Sequence, residues 1–296
     1  RYCLAVSSAT AGLHLSCLSL DLKKGDYLWT VPNSFVASAN CGLYCGAKID
    51  FVDINEFTFN IDINLLKKKL DKAKKKNKIP KVLVVVHMAG SPADVMQIKK
   101  LGKKYNFKII EDASHAIGAR YNKSFKVGSC KWSDITVFSL HPVKIITSGE
   151  GGIITTNSKE IFNKIKSLRT HGILRDKNLL RKKNYGFWYY EQKYLGYNYR
   201  ASDIHCALGL SQLRKLEDFV RIQNKLVESY AERLAPLAPI VRPVARTGVG
   251  MPAWHVATVL IDFDQAKTDR ATVMRELLKH DVGSQVLYMP LTRQPY

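Results

Sequence analysis

Lys144 is the lone lysine of an otherwise apolar and hydroxyl-rich stretch, Phe138-Ser-Leu-His-Pro-Val-Lys144-Ile-Ile-Thr-Ser-Gly149-Glu-Gly-Gly152. A strand-like run at 135–139 precedes it. A Gly-Glu-Gly-Gly turn and a second apolar run at 153–156 follow. Burial disfavours the charged ammonium and lowers its pKa, which suits a lysine that must hold a carbonyl carbon as a Schiff base. Taken alone, a lysine that snorkels out of a loop is the better reading. The segments around it change that balance.

Three of them carry side chains that complement such a lysine. A strand ends in Glu111-Asp112-Ala-Ser-His115, and ligands of α/β folds gather at the carboxyl ends of strands. Ser7-Ser-Ala-Thr10-Ala11-Gly-Leu-His14 turns from strand into helix with small hydroxyl residues, leaving backbone N–H groups free for a phosphate. Pro32-Asn-Ser-Phe35 places an aromatic side chain just after another strand. Each feature has a plain alternative: Asp112 capping the next helix, an N-cap with no ligand, a packed aromatic. Together they supply the parts of a pyridoxal phosphate site. Lys144 takes the aldehyde, Asp112 keeps the ring nitrogen protonated, the helix start at Thr10 binds phosphate, and Phe35 covers the ring face.

The elements that must position these residues alternate. Apolar strand runs at 27–31, 49–52, 82–86, 107–110 and 135–139 are interleaved with helical patterns at 36–45, 62–76 and 97–105. Val82-Leu-Val-Val-Val86 reads as a strand buried on both faces of a parallel sheet. The alternation predicts an α/β fold with a mainly parallel mixed sheet and helices on both faces. A helix is expected at 159–169, a loop-rich excursion at 177–198, and a helix from 201 to 220 that runs on towards 234, with Ile204, Ala207, Leu208, Leu210 and Leu213 on one side. Composition shifts at Ala235-Pro-Leu-Ala-Pro239, beyond which only Lys267 and Lys279 remain among the lysines. This divides the chain into a large domain, 1–234, and part of a smaller C-terminal α/β domain, 235–296. In the second, a strand is expected at 255–261, a helix at 268–280 and a strand-like end at 284–288.

With 296 residues the chain can bury a sizeable core, and its 46% hydrophobic and 24% charged residues are ordinary for a globular protein. The net charge of +21 is not ordinary. Much of it sits in Lys67-Lys-Lys-Leu-Asp-Lys-Ala-Lys-Lys-Lys-Asn-Lys78, which lacks interleaved aromatics and reads as the solvated face of a surface helix. Nucleic-acid signatures and zinc spacings are absent, so neither a nucleic-acid partner nor a metal is expected. The six cysteines form no disulfide framework by spacing, and Cys41 and Cys45 read as small apolar residues. No signal peptide or long uncharged apolar run is evident, which points to the cytoplasm rather than a membrane.

Five ordered motifs also carry a resemblance. Ser7 to His14, Pro32 to Asn40, Glu111-Asp-Ala-Ser-His-Ala-Ile-Gly118, the Lys144 stretch and Gly196-Tyr-Asn-Tyr-Arg200 resemble those of DegT-type nucleotide-sugar aminotransferases, which are fold-type I pyridoxal phosphate enzymes. The wording His87-Met-Ala-Gly-Ser-Pro-Ala-Asp94 is most similar to the branch acting in pseudaminic acid synthesis. The resemblance implies that Lys144 carries the cofactor and shuttles the proton, and that Asp112 pairs with the pyridine nitrogen. It implies that His115 lies near the ring or its phenolic oxygen, that Phe35 stacks on the ring, and that Thr10, Ala11 and Ser139 bind phosphate. Asn198 and Arg200 fall in a motif that reaches into a neighbouring subunit's site, which implies a homodimer. His87 and His171 are weaker candidates near the substrate, each equally a packed histidine. The implied reaction moves an amino group from an amino acid, glutamate foremost, to the 4-keto carbon of a UDP-linked keto-deoxy sugar.

Against the family pattern, an N-terminal segment before the first strand and the rest of the small domain are expected beyond the two ends of this sequence. Other readings stay open: another DegT-type sugar aminotransferase, another fold-type I enzyme such as a lyase or cysteine desulfurase, or an idle sensor that keeps the fold. Intact Lys144 and Asp112 weigh against the last.

Overall fold

A computed structural model describes residues 1–176, 178, 180–182, 186–243 and 249–296. Its centre is a seven-stranded sheet. The strands are β1 (Tyr2–Val6), β2 (Tyr27–Thr30), β3 (Lys48–Phe51), β4 (Val82–Val86), β5 (Lys108–Asp112), β6 (Ile135–Ser139) and β7 (Gly152–Thr156), and their spatial order is β1-β7-β6-β5-β4-β2-β3. From β6 through β5, β4 and β2 to β3 all pairings are parallel, whereas β7 runs antiparallel to both β6 and β1. β1 therefore points the same way as β2 to β6. The carboxyl ends of β1, β2, β4, β5 and β6 meet along one side of the sheet, where ligands of such folds bind.

Side chains alternate across the sheet with the period of two that a strand imposes. Leu28, Val82, Val84, Ile110, Ile135 and Val137 face one way. They pack on α1 (Ala9–Ser19), α2 (Ala37–Leu43) and α5 (Lys159–Leu168) through Leu13, Leu15, Cys41 and Ile165. Trp29, Leu83, Val85, Ile109 and Phe138 face the other way. They meet Leu66 and Leu70 of α3 (Ile63–Lys75) and Val95 and Ile98 of α4 (Val95–Tyr105). Helices therefore cover both faces, and all five residues of β4 are buried, as its continuous apolar run predicts. Burying a Val or Leu side chain fully is worth about 1.5–3 kcal/mol.

The basic run forms the outer face of α3. Leu66, Leu70 and Ala73 recur at helical spacing on the inner face, and Asp62 caps the start by accepting the Leu65 N–H at 2.8 Å. Lys72, Lys74 and Lys75 fill the last turn, where positive charge complements the helix dipole.

After the sheet come a short hairpin, β8 (Ile173–Leu174) with β9 (Glu191–Gln192), and then α6 (Asp203–Leu213) and α7 (Leu216–Leu234). Part of the excursion expected at 177–198 lies outside the described residues. The single helix expected from 201 onwards is two, broken at Arg214 and Lys215. The apolar side of α6, Ile204, Ala207, Leu208, Leu210 and Leu213, is largely exposed.

The C-terminal part holds a second small hairpin, β10 (Val241–Pro243) with β11 (Val259–Ile261), and α8 (Arg270–Lys279). Two sequence expectations are corrected here. The strand expected at 255–261 forms only over its last three residues, because the N–H groups of Ala253 and His255 instead bond the carbonyls of Gly90 and Ala89. Residues 284–288 form no strand; the Tyr288 N–H is taken by Asn33 Oδ1 at 2.9 Å, which ties this stretch across the end of the sheet. Trp254 packs against Met88 and Ala89 in a small separate cluster, and the neighbouring Ala253 joins the core on the α3 and α4 face of the sheet.

Candidate active site

Asp112 is the last residue of β5 and is buried. Its Oδ2 accepts the Ser38 hydroxyl at 2.6 Å, and Oδ1 accepts both the Ser114 hydroxyl at 2.6 Å and the Ser114 N–H at 3.2 Å. Ser38 in turn sits 2.8 Å from the Ser34 hydroxyl. Hydrogen bonds to an ionised carboxylate are about twice as strong as neutral ones, so this ring of hydroxyls fixes the side chain.

Lys144 is half-buried in the loop after β6. Burial draws its ammonium below the ordinary lysine range, and the charge of Asp112 opposes that pull. The amine is thus nearer to neutrality than a surface lysine. The turn beyond it is shaped by glycine: a Cβ on Gly152 would lie 2.7 Å from the backbone of Ser8 and Ala9. The Gly-Glu-Gly-Gly sequence thereby lets β7 start flush against the first turn of α1.

That turn holds Thr10 and Ala11. Ser8 caps α1, accepting the Ala11 N–H at 3.1 Å, and the first-turn N–H groups of Ala9 and Thr10 lack intrahelical acceptors by position. Ser139, the last residue of β6, is buried and accepts the His141 N–H at 3.3 Å.

His115 is buried beside Asp112. Its Nε2 lies 3.1 Å from the Tyr288 hydroxyl, while its Nδ1 is buried without a partner. The His255 ring is 4.7 Å away. Burial, then the positive charge of Lys144, then His255, hold His115 well below the ordinary imidazole value. Burial and Lys144 lower His255 to about 4, and burial and Asp112 push the Tyr288 phenol up to about 12. Phe35 is exposed by 57%, with its ring 6.2 Å from that of Tyr288.

Lys144, Asp112, His115, Ser139, Phe35, Thr10 and Ala11 thus all lie at one end of the sheet. Four other candidates remain. His87 is fully buried on the opposite face of the strand end, with Nε2 at 2.7 Å from Glu111 and Nδ1 accepting the Ala93 N–H at 3.0 Å. Of the two readings of His87, the packed histidine is the one its surroundings match. His171 is exposed in a turn with φ of 56°. Asn198 and Arg200 are exposed on a segment whose backbone is bound through Tyr199 to Ser7 and Arg169.

Ser38, Ser114, His255 and Tyr288 were not singled out from the sequence. Ser38 and Ser114 lie inside the motifs quoted above, and a hydroxyl near a strand-end acid is the signal that could have found them. No sequence signal links Tyr288 to His115 across 173 residues.

The sequence model of the DegT/DnrJ/EryC1/StrS aminotransferase family matches residues 1–296. The chain is 36% identical over 296 residues to the uncharacterised protein MJ1066 of Methanocaldococcus jannaschii, covering all of this chain and 74% of that protein. It is 35% identical over 291 residues to a Campylobacter jejuni UDP-4-amino-4,6-dideoxy-N-acetyl-beta-L-altrosamine transaminase, covering 98% of this chain and 72% of that one. The solved structure of Helicobacter pylori PseC, an aminotransferase involved in the biosynthesis of pseudoaminic acid, superposes with a TM-score of 0.85 at 31% identity. That match covers all of this chain and 74% of PseC.

Proposed function

The chain belongs to the DegT/DnrJ/EryC1/StrS aminotransferase family, whose cofactor is pyridoxal 5'-phosphate, and from that premise we propose that it aminates the 4-keto carbon of a UDP-linked keto-deoxy sugar. Glutamate is the proposed donor, the cytoplasm the proposed compartment, and pseudaminic acid or a related surface glycan the proposed destination. The Campylobacter and Helicobacter relatives support the sugar; the observation that carries the chemistry is the half-buried Lys144 beside the hydroxyl-bound carboxylate of Asp112.

The residues present fit the cofactor. The partnerless Nδ1 of buried His115, the remaining lone pairs of Asp112 and the free N–H groups at the start of α1 are groups that await a ligand with a ring nitrogen, an oxygen acceptor and a phosphate. When bound, pyridoxal phosphate supplies an aldehyde to receive the amino group and a ring to accept the electron pair freed at carbon.

The protein supplies position and protons. Asp112, held by Ser38 and Ser114, offers a fixed negative charge to a ring nitrogen. Thr10, Ala11 and Ser139 hold the phosphate, and Phe35 covers a ring face. Tyr288, whose phenol stays protonated, donates to Nε2 of neutral His115, which leaves the His115 proton on Nδ1 as a donor. The lowered pKa of Lys144 makes Nζ a base that takes a proton from carbon and returns it.

The proposal includes a homodimer in which Asn198 and Arg200 serve the neighbouring subunit's site. Supporting this, both side chains are exposed, and α6 presents an exposed apolar face.

The test is the absorbance of the purified chain with pyridoxal phosphate, beside Lys144→Ala. A visible band that bleaches with glutamate and is missing in the variant supports the reading, and UDP-keto sugars should then restore it. A band indifferent to glutamate and to every other amino acid would remove transamination.

A further inference from the structure

Residues 72–110 hold eleven lysines, no arginine and a single acid, Asp94, so ten of the chain's +21 charges sit in this span. The fold gathers them. α3 leads into β4 and α4 leads out of it, and each runs back against the direction of the parallel strands, so both helices end at the amino side of the sheet. The Tyr105 hydroxyl in the last turn of α4 donates to Asp71 of α3 at 2.5 Å, which fastens the two helices side by side. The candidate active site lies at the opposite, carboxyl side. Asp94 lies there too, capping the start of α4.

Three of the eleven lysines are paired, Lys81 with Asp26 at 2.9 Å, and Lys99 and Lys108 with Asp134 at 3.8 and 3.5 Å. The other eight are exposed, and none has a carboxylate partner among the described residues. Helix stability accounts for some of them. Lys72, Lys74 and Lys75 of α3 and Lys103 and Lys104 of α4 stand in last turns, where the helix dipole favours positive charge. That effect is confined to the terminal turn. It does not call for Lys76 and Lys78, which lie past the end of α3, or for Lys100, which precedes the last turn of α4. Crowded like charges repel one another, a cost to the free protein that an anionic partner removes.

The side chains narrow the partner. Lysine presents a compact point charge, whereas the planar fork of arginine suits bidentate recognition of single phosphates and base edges. Bases find no ring to stack on, because Tyr105 and Phe107 of this span are both buried. Diffuse positive charge without forks or stacking platforms fits a layer of anionic lipid headgroups. Among the described residues no helix is long and apolar enough to cross a membrane, so such a contact is peripheral.

We propose that the lysine-rich ends of α3 and α4 dock the protein on an anionic lipid surface, with the candidate active site turned away from it. The proposal is independent of the aminotransferase reading. Held by charge, the contact is reversible and sensitive to salt.

The test is co-sedimentation of the full chain with vesicles of equal parts phosphatidylcholine and phosphatidylglycerol, beside vesicles of phosphatidylcholine alone. Only the anionic vesicles should carry the protein down, and less of it as salt rises past about 0.15 M, where the screening length is about 8 Å. Each lysine near an anionic surface is worth about fivefold in binding. Lys75→Gln, Lys76→Gln, Lys103→Gln and Lys104→Gln together should therefore weaken binding by at least about a hundredfold. Lys166→Gln, Lys225→Gln, Lys267→Gln and Lys279→Gln together remove the same charge from other faces and should weaken it by less than about fivefold. Equal losses in the two variants would reduce the effect to net charge and overturn the proposal. No sedimentation with anionic vesicles at low salt would overturn it as well. Duplex DNA bound more tightly than the vesicles at equal phosphate would replace the lipid with a nucleic acid.

Discussion

The hydroxyl of Ser38 donates to Oδ2 of Asp112 at 2.6 Å, joining the first turns of α2 to the end of β5. The bond leaves the carboxylate one orientation in a buried place, and hydrogen bonds to charged groups are worth about 1.5–3 kcal/mol. In Ser38→Ala the Ser114 bonds persist but the second oxygen loses its protein partner. The expected outcome is a folded protein whose dissociation constant for pyridoxal phosphate rises roughly tenfold, the equivalent of about 1.4 kcal/mol. Absorbance titration reads it, and an unchanged constant would mean that Ser114 alone positions the acid.

Glu111 precedes Asp112 and, by strand alternation, faces the other way. Its buried carboxylate accepts from Tyr121, His87 and Ser133, and from Thr136 at 2.9 Å. His87 Nδ1 accepts the Ala93 N–H, so its proton is on Nε2 and points at Glu111. Glu111→Gln would turn one acceptor into a donor facing donors. With each unsatisfied buried group costing about 1–3 kcal/mol, a loss of roughly 2–4 kcal/mol is expected in urea unfolding. A midpoint within experimental error of the parent would show that the network can rotate to accommodate the amide.

Much of this arrangement was legible in sequence because strands buried on both faces advertise themselves. Val82 to Val86 could hardly be anything else, and the residues after each such strand then fall at one sheet end. Lys144, Asp112 and Thr10 lie there because each follows such a strand or opens the helix after one. Tyr288 and His255 are not legible that way, because only tertiary packing brings the C-terminal stretch over β5, and the strand-like end at 284–288 pairs with no strand among the described residues. The apolar side of α6 was legible as a stripe, but a stripe does not say whether it faces its own core. The sequence sets the carboxylates 111 and 112 side by side at one strand end, whereas the pleat sends one to the candidate site and the other to a buried network.

Two histidines at the site link stability to pH. His255 falls to about 4 and His115 also lies well below its ordinary value, with burial the largest cause in both. The unfolded chain binds protons at these positions near pH 6.5, before the folded chain does. Their contribution is therefore intact above about pH 6.5 and is lost as pH falls from there towards the folded values. His255→Gln should flatten the fall of the urea midpoint between about pH 6.5 and 4.5. Parallel slopes in parent and variant would show that carboxylates alone govern acid unfolding.

On α6, Ile204 is exposed by 82%, Leu210 by 58%, Leu213 by 46% and Leu208 by 43%, although the helix is well capped by Ser202. Four large apolar side chains on one short helix are costly in water, since each buried Leu or Ile is worth about 1.5–3 kcal/mol. In a two-fold dimer every such residue is covered in both subunits, so one substitution counts twice. Ile204 and Leu208 lie one turn apart and neither contributes to the described cores. The pair Ile204→Asp and Leu208→Asp should therefore leave the circular dichroism of the chain intact while shifting its sedimentation from dimer to monomer. Because Asn198 and Arg200 are proposed to serve the neighbouring site, cofactor retention should weaken with it. A variant that still sediments as the dimer would place the contact elsewhere, and a monomer that binds pyridoxal phosphate as tightly as the parent would free Asn198 and Arg200 from any role across the interface.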